Sequence, residues 1–164
     1  QKLGELRNNG IVRFPSPSQM VLEGAVTTPG QPVVFNIGAM AFVDRYEIAY
    51  EVSGPSPTIL VNVINTPRNS AGVKKVTLQS MGWVSKKGNL NHPEAILWNF
   101  VDAEELQISY MGFHGSILAP FANGRFYSGA MSGSVIAWSL MNDLEYYWAP
   151  FANYQKLDAL RSDW

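Results

Sequence analysis

Short apolar runs separated by polar stretches that carry proline or glycine set the rhythm of this chain. Val33 to Ile37, Tyr46 to Val52 (YEIAYEV), Ile59 to Ile64 (ILVNVI), Val73 to Leu78 (VKKVTL) and Ile96 to Val101 (ILWNFV) are strand-sized and rich in β-branched or aromatic side chains. Pro15, Pro17, Pro29, Pro32, Pro55, Pro57, Pro67 and Pro93 fall between these runs, where a missing N–H removes no ladder bond. Helical spacing is confined to Asp102 to Leu106 (DAEEL), a single turn, and to Asn153 to Arg161 (NYQKLDALR). In the latter, Tyr154, Leu157 and Leu160 follow an Asn153 cap. The pattern predicts an all-β protein that ends in a short helix or tail.

A repeat sharpens this expectation. The phrase GSILA (Gly115 to Ala119) returns as GSVIA (Gly133 to Ala137) eighteen residues later. The same step carries Ile108 to Phe126 and then to Leu144, Phe113 to Met131, and Ile117 to Val135, so apolar residues fall on apolar residues. A meander of hairpins has no reason to keep one period, whereas a β-solenoid does, because each side chain stacks on its counterpart one rung away. Eighteen residues make one turn of a triangular β-helix, and Gly115, Ala119, Gly133 and Ala137 suit its corners. ILVNVI and ILWNFV then read as earlier rungs of the same face, with irregular loops between them. Strands are predicted at Ile96 to Val101, Gly115 to Ala119 and Val135 to Ala137, stacked parallel in one sheet. The alternative is a chance repeat, since Gly-Ser-aliphatic-Ala is a common phrase.

Composition removes several function classes. The 164 residues are one domain's worth, with 15% charged side chains, a net charge of −1, and basic residues single or paired (Lys74-Lys75, Lys86-Lys87), which argues against a nucleic-acid partner. Cysteine is absent, which excludes disulfides, thiolate metal sites and a cysteine nucleophile. No apolar run approaches the roughly 18–20 residues of a membrane span. Gln1 to Gly10 has no hydrophobic signal core, and the expectation is a processed or trimmed product.

Asn99-Phe100, Asp102-Ala103, the alternating Leu106 to Ser109, Gly112 to Ala122, Ser128 to Gly133, Val135 to Leu140 and Pro150-Phe151 follow one another in an order that resembles the C-terminal signature of the choice-of-anchor A domain of bacterial surface proteins. With the upstream segment the resemblance covers about Gln31 to Phe151. A weaker similarity is to β-solenoid ice-binding proteins, which end in coils of the form F-x-Gly-x-[IL]-Leu-Ala. The resemblance implies a right-handed parallel β-helix, displayed outside the cell, with an adhesive or structural role. No sorting motif or hydrophobic anchor follows Phe151, so the chain is expected to be part of a longer precursor.

The titratable residues give little support to catalysis. His92 and His114 stand in unrelated contexts, and Ser132 takes the place of His114 one repeat later. Ser116 and Ser134 are duplicated by the repeat, and there is no Gly-x-Ser-x-Gly elbow or P-loop. Asp102, Glu104 and Glu105 resemble a glycosidase acid pair only in composition, because Glu104 and Glu105 point to opposite sides of a strand. No catalytic, cofactor or metal residues are expected.

Binding fits better. Trp138, Tyr146, Tyr147, Trp148, Phe151, Tyr154 and Trp164 gather at the end of the chain, where they could cap the solenoid, mediate self-association or stack on glycans. The proline-broken leader is too poor in core residues to cap the first rung, although Ile11, Val12 and Phe14 are strand-like. The sequence therefore predicts a leader (1–30), a right-handed β-solenoid with irregular N-terminal coils (31–152) and a tail (153–164). Its role is expected to be adhesion or matrix formation at the cell surface or outside the cell, by contact with surface proteins or by self-association into an oligomer or filament. Ile11, Val12, Phe14, Tyr147, Trp148, Tyr154 and Trp164 are the expected interface. The leader exchanges with a neighbouring subunit or folds back on its own chain. A carbohydrate-binding module is the alternative. Ice binding is set aside because Gln107, Arg125, Glu145 and Tyr147 are large or charged where small hydroxyls are required.

Overall fold

The computed structural model describes residues 3–45, 47–79, 82–87 and 92–152. These residues form an all-β fold in which a parallel sheet curls around one core. The strands are β1 (Ile11–Ser16), β2 (Gln19–Ala25), β3 (Val33–Gly38), β4 (Glu47–Ser53), β5 (Ile59–Ile64), β6 (Lys75–Gln79), β7 (Gly82–Lys87), β8 (Ile96–Phe100), β9 (Glu105–Ser109), β10 (Gly112–His114), β11 (Ser116–Tyr127), β12 (Ala130–Ser132), β13 (Val135–Asn142) and β14 (Glu145–Tyr147). The expected helical turn at DAEEL is instead a bend that leads into β9, because Asp102 is held by groups on the preceding turn. The expected tail helix lies outside the described residues.

The strands stack in three ladders. In the first, β3, β5, β8 and the first limbs of β11 and β13 pair parallel and align Phe35, Val61, Trp98, Ile117 and Val135 in one column. In the second, β6, β9 and the second limbs of β11 and β13 align Val76, Leu106, Gly124 and Leu140. The third ladder runs β2, β4, β7 and, separately hydrogen-bonded, β10, β12, β14. Alternation sends every second side chain inward, where Phe35, Trp98, Phe100, Phe113 and Phe126 are fully buried. Trp98 is the hub, edge-on to Phe42 at 5.9 Å and to Phe113 at 5.7 Å and stacked on Phe100 at 6.5 Å. Burial pushes the Tyr50 phenol well above its ordinary pKa, and the nearby Trp98 indole opposes this only in part.

The predicted eighteen-residue step holds in part. Ile117 pairs with Val135, Ala119 with Ala137, Phe113 with Met131 and Ile108 with Phe126. The counterpart of Phe126, however, is Asn142 and not Leu144. Between the paired positions Ala119 and Asn123, β11 carries three residues where β13 carries only Trp138, so this bulge shortens the step. The predicted corners hold at the two glycines, whereas Ala119 and Ala137 pair with each other within β11 and β13. Gly115 has φ 109°, and a Cβ there would press on Ile96 at 2.9 Å, while a Cβ at Gly133 would collide with the carbonyl of Gly115.

The leader, expected to be too poor in core residues to cap the first rung alone, covers two of its three ladders, those of β2 and β3. β1 pairs antiparallel with β2 and so covers one edge. Asn8 and Asn9 cover the edge of β3, with their side-chain oxygens accepting the backbone N–H groups of Asn36 (2.8 Å) and Val34 (2.6 Å). The amides of Asn9 and Gly10 both reach the Val34 carbonyl. The 3-10 turn Ala39–Phe42 lies beside β6 and buries Ala39 and Phe42 in the core. The cap works through side-chain amides and backbone groups, so a count of core residues does not find it.

Candidate functional site

The acidic run is structural. Asp102 accepts the hydroxyl (2.8 Å) and amide (3.3 Å) of Thr66 and pairs with Lys74 at 2.6 Å. Burial opposes its ionisation, but the Lys74 ammonium and the Thr66 donors outweigh that effect and hold the carboxyl below its ordinary range. Glu104 faces Arg68 at 3.3 Å and Glu105 faces Lys75 at 3.9 Å, so each carboxylate ties one turn of chain to the turn before it. His92 pairs with Glu94 at 2.8 Å. His114 aligns with Ser132 and Tyr147, and partial burial lowers its pKa. Ser116 and Ser134 meet each other at 3.0 Å and form a rung-to-rung serine ladder. Among the described residues no group of three histidine, aspartate or glutamate side chains is placed to hold a metal ion.

The expected interface residues divide between opposite ends of the ladders. Ile11, Val12 and Phe14 lie on β1, at the first edge. Ile11 and Phe14 are exposed, Val12 packs against the core, and the Arg45 guanidinium sits 4.7 Å over the Phe14 ring. Tyr147 ends β14 on the last rung, with Trp148 next to it, and both are exposed. Tyr154 and Trp164 lie outside the described residues. The structure therefore does not bring the described members of the set together.

Two features escape the sequence reading. Asn36, Asn62 and Asn99 stack on the outer side of the first ladder: Asn62 donates to the Asn36 side chain at 2.8 Å, and Asn99 to Asn62 at 2.7 Å. The leader lies along this ladder, with the Leu6 carbonyl accepting from Asn36 and the Leu3 carbonyl from Asn62, both at 2.9 Å. Leu3 and Leu6 pack beside Val34, Leu60 and Leu97, and Phe151 joins the same cluster. The signal was present as three apolar-Asn-apolar phrases, FNI, VNV and WNF. The second feature is a groove of about 500 Å³ at the closed end, lined by Asn9, Ile11, Glu23, Thr27 and Glu51. Arg13 bridges Glu23 (2.5 Å) and Glu51 (2.9 Å) beside it.

The last rung gathers more exposed apolar side chains than any other stretch of the described chain. Ile136, Trp138, Leu140 and Met141 of β13, together with Tyr146, Tyr147 and Trp148, are all exposed large apolar side chains. The arrangement offers ordered sheets and an apolar end, features that suit a contact surface.

The comparisons name the kind of contact. A family model described as "Putative Ice-binding-like adhesive domain" matches residues 1–148, and the chain belongs to that family. Neither the search of curated proteins nor that of solved structures gives a match. The match agrees with the adhesin-like and ice-binding-like similarity seen in the sequence and carries no support for choice-of-anchor A specifically. No helix among the described residues is long and apolar enough to cross a membrane.

Proposed function

We propose that this chain is a non-enzymatic adhesion domain, displayed at the cell surface or outside the cell, that works through contacts with proteins. The observation that carries this reading is the adhesive-domain match over residues 1–148. The paired state of Asp102, Glu104 and Glu105 supports it, because each carboxylate faces a cation on the preceding turn of chain. We further propose that the coils wind as a right-handed β-solenoid, which agrees with the parallel ladders and with the strong preference for right-handed crossovers between parallel strands. The resemblance to choice-of-anchor A domains stands on its motifs alone.

The outer columns favour proteins over ice. Thr77, Gln107, Arg125 and Met141 form one outward column and Lys75, Glu105, Asn123 and Ser139 another, so neither offers repeated small hydroxyls. Glycan stacking is the second reading and rests on Trp148, whose ring is 87% exposed. The test is to immobilise the purified chain and measure saturable binding to extracellular proteins, to a glycan array and to ice. Binding to proteins is the expected result. Binding to glycans alone, abolished by Trp148→Ala, would replace this reading with the carbohydrate module, and thermal hysteresis would replace it with ice binding.

A further inference from the structure

We infer that the last rung is the contact surface for a second copy of this chain, in an end-to-end pair. The evidence is an asymmetry between edges. A free edge strand is a template for further pairing, and natural edges are guarded by charge, proline or a break in register. β1 has all three, in Arg13, Pro15 and a register shift between Arg13 and Ser16. β13 reads VIAWSLMN, eight residues with no charge and no proline, and only its β11 side is paired among the described residues.

The size of the end fits a protein partner. Trp138 is 77% exposed, Trp148 87%, Met141 66% and Ile136 61%. A buried aromatic ring contributes about 150–250 Å². Buried whole, Trp138, Trp148, Tyr146 and Tyr147 with Ile136, Leu140 and Met141 would approach the roughly 800 Å² per partner of a standard interface, of which Ile136 and Met141, standing in outward columns, offer only their rung-facing side. The layout is also that of an interface. Leu140 and Tyr146 continue the inward columns of Gly124 and Met131, and Ile136, Trp138, Met141 and Tyr147 surround them.

Three observations select a second copy facing the same way round. On the first rung of another molecule the leader covers β2 and β3 and the 3-10 turn Ala39–Phe42 lies beside β6, so head-to-tail stacking would have to displace these segments. After β14 the chain leaves the open end: Phe151 packs on the cluster around Leu60 and Leu97, and the Ala152 amide reaches the Glu94 carbonyl at 3.0 Å, at the start of β8. An apolar end is also complementary to itself, and a two-fold contact closes as a pair and leaves no surface for a filament.

Association and adhesion are read by different measurements, so this inference and the adhesive role can fail separately. Light scattering on the full chain over a range of concentrations should give the mass of a pair. Ile136→Lys with Met141→Lys places like charges on the facing edges and should weaken the pair on the order of a hundredfold. Trp138→Arg, at an exposed position that tolerates substitution in the folded monomer, should weaken it too. Ile11→Lys, at the closed end, should leave it intact. A monomer at every concentration, growth beyond a pair, or a pair that is indifferent to the β13 variants while sensitive to Ile11→Lys would each overturn the inference.

Discussion

At the first edge of the stack, the side-chain amides of Asn8 and Asn9 occupy the hydrogen-bonding groups of β3, and β1 covers β2 with a strand that carries Arg13 and Pro15. At the last edge, β13 presents Ile136, Trp138 and Met141 with no such guard among the described residues. The core is continuous between them, from Met20 and Phe35 to Met131 and Leu144, so the two ends share one fold and one packing logic. What differs is local chemistry at the edge. In a stack of parallel strands the interior is repetitive, and the two ends are told apart by how each edge is treated.

The comparison can be broken most severely from the middle. Ile117 is buried in the column between Trp98 and Val135, so Ile117→Asp places an unpaired charge in the core, costs several kcal/mol and should unfold the C-terminal rungs. Circular dichroism and thermal melting read this directly, and an unchanged soluble variant would contradict the inward placement. Asn62→Leu keeps the branched side-chain shape but orphans the Asn99 donor and the Leu3 carbonyl, at a cost of about 1–3 kcal/mol in chemical denaturation. Its leader should also become more sensitive to protease. Asp102→Ala removes the contacts to Thr66 and Lys74 and should cost about 1 kcal/mol, since the site is partly open to solvent. The wild-type Asp102 carboxyl is held below its unfolded value. Its contribution is therefore present above about pH 4 and lost as pH falls through the lowered folded value, so the variant should have a flatter acid limb. Asn9→Ala costs a similar amount, about 0.5–1.5 kcal/mol, yet it reopens the Val34 amide and should raise self-association at the end that is otherwise closed.

Much of the interior was legible because stacking imposes it on the sequence. Ile117 and Val135 must both be apolar, and Gly115 and Gly133 must both bend, so a repeat survives for the eye to find. The shift of Phe126 onto Asn142 was not legible, since residues 120–122 enter as an ordinary strand and only pairing reveals them as a bulge. The asparagine ladder was hidden by unequal spacing, 26 residues from Asn36 to Asn62 and 37 from there to Asn99, although the three phrases are alike. The leader misled for a different reason. It closes an edge with polar groups, and hydrophobic periodicity carries no information about those. The terminal aromatics were visible as a cluster, but that Ile11 and Tyr147 belong to opposite ends is a matter of topology alone.

Residue-resolved amide hydrogen exchange at low and high protein concentration tests the contrast between the two ends most directly. The account predicts that the amides of Val34 and Asn36, held by Asn9 and Asn8, are protected at every concentration, while the free-edge amides of β13 gain protection only as the concentration rises. Val34 and Asn36 amides that exchange as fast as loop amides, or β13 amides that are fully protected in the dilute monomer, would contradict it.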